Sequence, residues 1–170
     1  MIFVTVGSDL PFNRLVKYLD HWSRDHPCQR VFAQVGRLKP SDYVPETIQW
    51  VQMLTAERFD QHCREARLIV AHAGMGSIIS ALAAGKPIVM LPRSARLRET
   101  RSDHQFATAE RYADRPGIFV AWSEADVADA IGRALAQSDE AAVERLPEFA
   151  PVDLTKRLRQ WILNGRRRSP

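Results

Sequence analysis

Cysteine is almost missing from this chain: Cys28 and Cys63 are the only two in 170 residues. They stand far apart and without metal-ligand spacing, which excludes a disulfide-stapled scaffold and fits a reducing compartment. Long hydrophobic runs are missing as well. The first apolar stretch, Ile2 to Val6, is cut short by Ser8 and Asp9; it is too brief for a signal peptide or a membrane span and reads as a first strand. No Gly/Ser-rich linker, internal repeat or low-complexity tract divides the chain. With 170 residues and 45% hydrophobic content, one domain with a real core is expected. The formal charge of +4 suggests a polyanionic partner, a nucleotide or an anionic lipid surface among them. Nucleic acid is not an expected partner, because neither a reading helix nor aromatics interleaved with basic residues are found.

What the chain does have is concentrated between Leu68 and Pro92. Leu68, Ile69, Val70 and Ala71 form a continuous apolar run, as suits a strand covered on both faces of a parallel sheet. His72-Ala73-Gly74-Met75-Gly76-Ser77 then turns the chain, with glycines where backbone must bend tightly or approach a ligand closely. Ile78, Ile79 and Leu82 mark a helix, and Gly85-Lys86-Pro87 supplies a glycine cap, a cation and a proline stop. Free N–H groups at such a helix start, with the roughly +0.5 charge of the macrodipole, favour a phosphate or diphosphate. The pattern is neither a dinucleotide fingerprint, which would need a third glycine near Ile79, nor a P-loop, which would need Gly-Lys-Ser/Thr opening the helix. The competing reading is a strand–helix turn whose glycines serve close packing alone. Against it, a histidine, a glycine loop, a helix start and Ser77 converge at the carboxyl end of one strand, where open α/β sheets bind ligands.

The remaining pattern alternates. Phe12, Leu15, Val16, Leu19 and Trp22 recur at helical spacing, Arg30 to Val35 reads as a second strand, and Ile48 to Val51 is extended after a proline-marked loop. Glu57 to Arg64 reads as helix, Ile88 to Leu91 and Ile118 to Val120 as strands. Ser102 or Asp103 can cap a helix reaching about Ala113, and Ser123 to Asp126 starts another, with Val127, Ile131 and Leu135 facing inward. This alternation predicts α/β architecture: a single Rossmann-like domain over 1–150, its parallel sheet flanked by helices. Residues 151–170 form an amphipathic helix and basic tail, with Leu154, Leu158, Trp161 and Ile162 as the apolar stripe. Packing of that stripe on its own domain is favoured over docking on a protein or membrane surface. The terminal Arg166, Arg167 and Arg168 read as a solvated end that could add attraction to anionic lipid.

Several motifs, in order, carry a family resemblance. VTVGS at Val4 to Ser8, Pro11-Phe12, Arg14-Leu15, AHAGMGSIISALAAGKPIVMLPR and Ser102 to Gln105 resemble the C-terminal, donor-binding half of GT-B glycosyltransferases, of the glycosyltransferase family 28 C-terminal type. The similarity is greatest to small catalytic subunits of split transferases: those completing dolichol-linked chitobiose and those adding glucuronate in bacterial exopolysaccharide synthesis. It implies one half of a GT-B fold with a UDP-sugar across the carboxyl ends of the strands. Gly7 and Ser8 would line the donor cleft after the first strand, and Gln34 and Gly36 would flank it after the second. His72, Gly74, Met75, Gly76 and Ser77 match the diphosphate-facing motif, and Asp103, His104 and Gln105 the segment that contacts the donor sugar. Ser80 departs from the pattern, for it stands where relatives carry a carboxylate for the ribose hydroxyls, and a serine lacks paired acceptors.

The resemblance further implies inverting, metal-independent hexosyl transfer with no cofactor, the UDP-sugar being substrate. No D-x-D pair or metal-ligand cluster is evident in the sequence. Helix N–H groups, Ser77, His72 and Arg93 would stabilise charge on the departing diphosphate. His104 is a candidate base, although the base can equally lie on the other half. That half would be a membrane-anchored partner subunit bringing a lipid-linked sugar acceptor, which would hold this chain in the cytoplasm, peripheral at the membrane's inner face. Arg93, Arg96, Arg98 and Arg101 sit between the donor signature and His104, so one of them could make a bidentate contact with a glucuronate carboxylate, in competition with simple neutralisation of diphosphate or contacts with a partner or solvent. Two other function classes stand beside this one. A self-sufficient nucleotide-sugar enzyme such as an epimerase would consume donor without acceptor, and a non-catalytic regulatory module would bind it unchanged.

Overall fold

A computed structural model describes residues 1–8, 10–140, 143, 145–147 and 149–165; Asp9 and Arg166, Arg167 and Arg168 lie outside the described residues. Six strands, β1 (Ile2–Thr5), β2 (Val31–Gln34), β3 (Gln49–Val51), β4 (Leu68–His72), β5 (Ile88–Leu91) and β6 (Ile118–Val120), form one sheet in the order β3-β2-β1-β4-β5-β6. Every pairing is parallel. The helices are α1 (Asn13–Asp25), α2 (Ala56–Glu65), α3 (Met75–Ala84), α4 (His104–Tyr112), α5 (Val127–Glu140) and α6 (Val152–Gly165). This is the single Rossmann-like domain that the alternation predicts.

Central strands are apolar up to their carboxyl ends, where Thr5, Gln34 and His72 stand, because helices cover both faces. Ile2 and Val4 of β1 meet Leu15, Val16 and Leu19 of α1 and Val127 and Ile131 of α5. Phe3 points the other way, into a core with Cys63 of α2 and Ile78 and Leu82 of α3. Helix α3 ends as its sequence dictates: Gly85 adopts φ 66°, and its N–H donates to the carbonyls of Ala81 and Leu82. Past α5, the chain comes back along the amino-end side of the sheet. Val143 is buried there, 2.6 Å from where a Cβ on Gly117 would stand, and the Leu146 N–H donates to the Leu82 carbonyl at 3.1 Å.

Two local expectations differ. Asp103 precedes α4 but does not cap it; its carboxylate accepts instead from the Ala95 N–H at 2.8 Å, because that loop amide competes for the same acceptor. Helix α6 forms where the amphipathic pattern lies, yet residues 152–164 are all exposed, so its stripe does not pack on the domain. The sheet's two faces are already covered by the other helices, whose apolar side chains fill both cores.

One buried charge fixes the loop between β2 and β3. The Asp20 carboxylate, fully enclosed on α1, accepts from the Tyr43 hydroxyl at 2.6 Å and from the N–H groups of Glu46, Thr47 and Ile48 at 2.8 to 3.1 Å. Burial alone would raise its pKa, but these four donors together hold it below the ordinary carboxylate value. Replacing it orphans three backbone donors at once, so Asp20→Ala should lower the unfolding free energy by about 3 kcal/mol or more in urea titrations at pH 7. The depressed pKa makes this contribution complete above about pH 4 and lost as pH falls through the folded-state value, so the wild-type advantage over Asp20→Asn should shrink in acid.

Candidate functional site

The chain runs outward from β1 through β2 to β3, then returns to place β4 on the other side of β1. This reversal leaves a crevice at the carboxyl ends of β1 and β4, where crossover connections diverge to opposite faces. A cleft of about 620 Å³ opens there.

Its floor is a set of interlocked backbone and side-chain contacts. Gly7 follows β1 with φ 81°, a left-handed conformation that a side chain rarely adopts. Thr5, a polar residue inside an apolar strand, accepts from the Gly7 N–H at 3.3 Å and donates its hydroxyl to Gln34 Oε1 at 2.6 Å. Gln34 Nε2 closes the ring by donating to the Gly7 carbonyl at 3.1 Å. Gln34 therefore shapes the loop from behind while lining the cleft.

His72, the last residue of β4, is wedged between two glycines. A Cβ on Gly7 would lie 2.8 Å from His72 Cε1, and one on Gly74 would strike Nε2. Burial pushes the imidazole down to about 4 from the usual 6.5, the Arg93 guanidinium adds to the effect, and the Thr5 backbone partly opposes it. The ring is thus neutral near pH 7, with a buried Nδ1 that has no hydrogen-bond partner. Helix α3 starts beside it with Gly74 as N-cap and no side-chain cap. A Cβ on Gly76 would meet nothing within 4 Å, so packing of the described residues does not require a glycine there. Ser77 is buried in the same first turn, and Ser80 reaches the cleft one turn on.

Arg93 follows β5 and is buried. Its guanidinium donates to the carbonyls of Val6, Leu10, Pro11 and Glu99 at 2.6 to 3.2 Å and lies 4.6 Å from the Phe12 ring centroid. These bonds make it a strut between the loops after β1 and β5. Its neighbours Arg96, Arg98 and Arg101 are exposed and line no part of the cleft. Of the four arginines only Arg93 lines the cleft, and its guanidinium is already engaged by those carbonyls. Gln105 accepts from the Arg93 N–H through Oε1 at 3.0 Å, which fixes its amide orientation and leaves Nε2 as a donor at the cleft wall. His104 also lines the cleft, its Nδ1 3.0 Å from the Ser102 hydroxyl.

Gly7, Ser8, Gln34, His72, Gly76, Ser77, Ser80, Arg93, His104 and Gln105 thus share one cavity, whereas Gly36, Gly74, Met75 and Asp103 do not line it. Gly36 turns the chain at φ 80° against Val6, and Gly74 makes room for His72. Met75 is exposed beside α4, and Asp103 holds Ala95. The sequence reading missed Asp60 of α2 and the apolar wall of Leu10, Met53, Leu54 and Phe59. It also missed Glu99, which pairs with Arg14 through two bonds of 2.7 and 2.8 Å and accepts from the Ser94 N–H. An acid set among Arg93, Arg96, Arg98 and Arg101 was the signal for Glu99; nothing in the α2 pattern singles out Asp60.

Residues 1–142 match the family described as Glycosyltransferase family 28 C-terminal domain. The chain belongs to this family. No curated protein matches it by sequence. Among solved structures it is similar to the glycotransferase of kitacinnamycin, at 20% identity and a TM-score of 0.58, over 81% of this chain and 34% of that one. It is also similar to CalG4, the calicheamicin glycosyltransferase, at 21% identity and a TM-score of 0.57, with the same two coverages of 81% and 34%. A solution structure of ALG13 matches over 92% of this chain and 93% of that one, at 16% identity and a TM-score of 0.56. At these identities the shared property is the fold, that of the C-terminal half of a GT-B glycosyltransferase. The chain spans about a third of the length of the first two, whereas the match covers nearly all of the ALG13 chain.

A buried neutral histidine destabilises the native state in acid, because the unfolded chain takes up a proton near pH 6.5 that the folded family 28 domain accepts only near 4. Its stability contribution is full above the unfolded value and lost as pH falls through the folded one, a swing of about 3 kcal/mol. His72→Gln should flatten the decline in unfolding free energy between pH 7 and pH 4 by about that amount, measured by urea denaturation across the series.

Proposed function

We propose that this family 28 domain is the donor-binding catalytic subunit of an inverting glycosyltransferase that takes a hexose from a UDP-sugar. The observation carrying the proposal is the uncapped start of α3 facing a cleft at the sheet's switch point, with open space beside Gly76. A diphosphate there would accept from the first-turn N–H groups and gain from the helix dipole. Ser77, a neutral imidazole N–H on His72 and Gln105 Nε2 add donors, so charge growing on the leaving diphosphate is met without a metal or a cofactor. The structural work of Arg93 leaves it to act on this charge through its field rather than by direct contact. The apolar wall of Leu10, Met53 and Phe59 suits a flat base, and Asp60 on neighbouring α2 brings the carboxylate that Ser80 lacks for ribose hydroxyls.

In the transfer, an acceptor hydroxyl oxygen bonds to the anomeric carbon as the carbon–oxygen bond to the diphosphate breaks. The nucleoside diphosphate leaves with the electron pair, and the hydroxyl proton passes to a base. His104 lies at the cleft for that role; a base on a second, acceptor-binding half fits equally. The fold is one half of a GT-B glycosyltransferase, so in this reading the acceptor is presented by another half, a separate membrane-anchored partner that binds a lipid-linked sugar and holds this chain at the inner face of the membrane.

Gly76→Ala separates binding from folding. It should keep or raise the melting temperature, alanine being the better helix former by about 1 kcal/mol, yet weaken UDP-sugar binding at least about tenfold in calorimetry, a loss of 1.4 kcal/mol. Asp60→Asn should weaken binding by a smaller factor. Unchanged donor affinity in Gly76→Ala would sink the proposal, as would full-rate transfer to a lipid acceptor by the purified chain for its two-subunit part.

A further inference from the structure

The chain's positive charge is not spread over the domain. Between residues 149 and 170, six Lys and Arg stand against one Asp, a local balance of +5. Since the whole chain has 24 basic and 20 acidic side chains, residues 1–148 carry 18 and 19, and the family 28 domain proper is close to neutral. The basicity belongs to α6 and the last few residues of the chain.

Within α6 that charge is ordered. Leu154, Leu158, Trp161 and Ile162 recur at i, i+4, i+7 and i+8 and form one stripe, while Lys156, Arg157 and Arg159 lie off it on both sides. Every residue from 152 to 164 is exposed, Trp161 at 75%, and Phe149 just ahead of the helix at 76%. No helix of the described residues is long and apolar enough to cross a membrane. An apolar stripe bearing a tryptophan, bordered by cations, matches the gradient across the surface of an anionic bilayer: acyl chains beneath, phosphates at the rim. A second copy of α6 fits poorly, because pairing the stripes would bring arginine rims together.

We infer that α6 is a membrane-surface helix that lies in the headgroup region of an anionic bilayer, with Leu154, Leu158, Trp161 and Ile162 toward the acyl chains. The inference stands apart from the donor reading, since α6 lines no part of the cleft. Attraction between exposed charges and phosphates is screened by salt, so the partition should be strongly ionic-strength dependent.

The test is sedimentation of the full chain with vesicles of phosphatidylcholine alone or with about one third phosphatidylglycerol, a composition chosen to give the negative surface potential that polybasic segments read. The chain should sediment with the anionic vesicles only, and raising NaCl from about 0.1 to 0.5 M, which shortens screening well below 10 Å, should release it. Trp161 emission should shift to the blue on binding, and the shift should vanish in Trp161→Leu. The triple change Lys156→Glu, Arg157→Glu, Arg159→Glu and the single change Leu158→Glu touch exposed positions only. Each should cut binding more than about tenfold while the melting temperature and UDP-sugar affinity stay unchanged. Failure to sediment, or equal sedimentation with neutral vesicles, overturns the inference. So does a concentration-dependent dimer, or a complex with a co-expressed membrane protein, that is lost in Leu158→Glu when vesicle binding is not.

Discussion

A buried guanidinium holds this site together. Arg93 gives hydrogen bonds to four carbonyls contributed by two irregular loops, after β1 and after β5, that have no sheet or helix partners for those groups. Each side of the arrangement needs the other: a buried cation is costly unless its donors are used, and buried carbonyls are costly unless they accept. The Arg93 backbone extends the connection to α4 through Gln105, and the Arg14–Glu99 pair ties the far end of the same loop to α1. Remove the guanidinium and the cleft loses the common reference against which three of its walls are set.

The same fastening accounts for the state of His72. Pressed between Gly7 and Gly74 and close to the Arg93 charge, the imidazole stays neutral and immobile. Its orientation is decided before any ligand arrives, as are the Gly7 loop by Thr5 and Gln34 and the Gln105 amide by the Arg93 N–H. Pre-set donors lose little entropy on binding and need no reorganisation as charge develops, and that is where electrostatic stabilisation is most effective.

Much of this was legible in the residues. Apolar runs, the Gly74–Ser77 turn and the Gly85 stop follow local rules of strand burial, helix start and left-handed termination, so the sheet, α3 and the crevice beside it could be read from short windows. Arg93 was legible as basic and near the site but not as a strut, because its partners Val6, Leu10 and Pro11 lie more than 80 residues away and no periodicity encodes a carbonyl cage. Asp103 showed the limit of capping rules: an acid before a helix has other acceptable donors. The exposure of α6 escaped for a different reason. An amphipathic stripe says that something can cover it, and only the exposure of residues 152–164 says that the domain does not.

The return of the chain after α5 has a spatial consequence. Val143 and Leu146 fasten it under Gly117 and Leu82, against the pole of the sheet remote from the cleft. The route to α6 starts from that underside, and α6 lines no part of the cleft beside Ser8, His72 and His104. On the reading proposed above, a bilayer under α6 and a second half over the cleft would then meet opposite poles of the sheet.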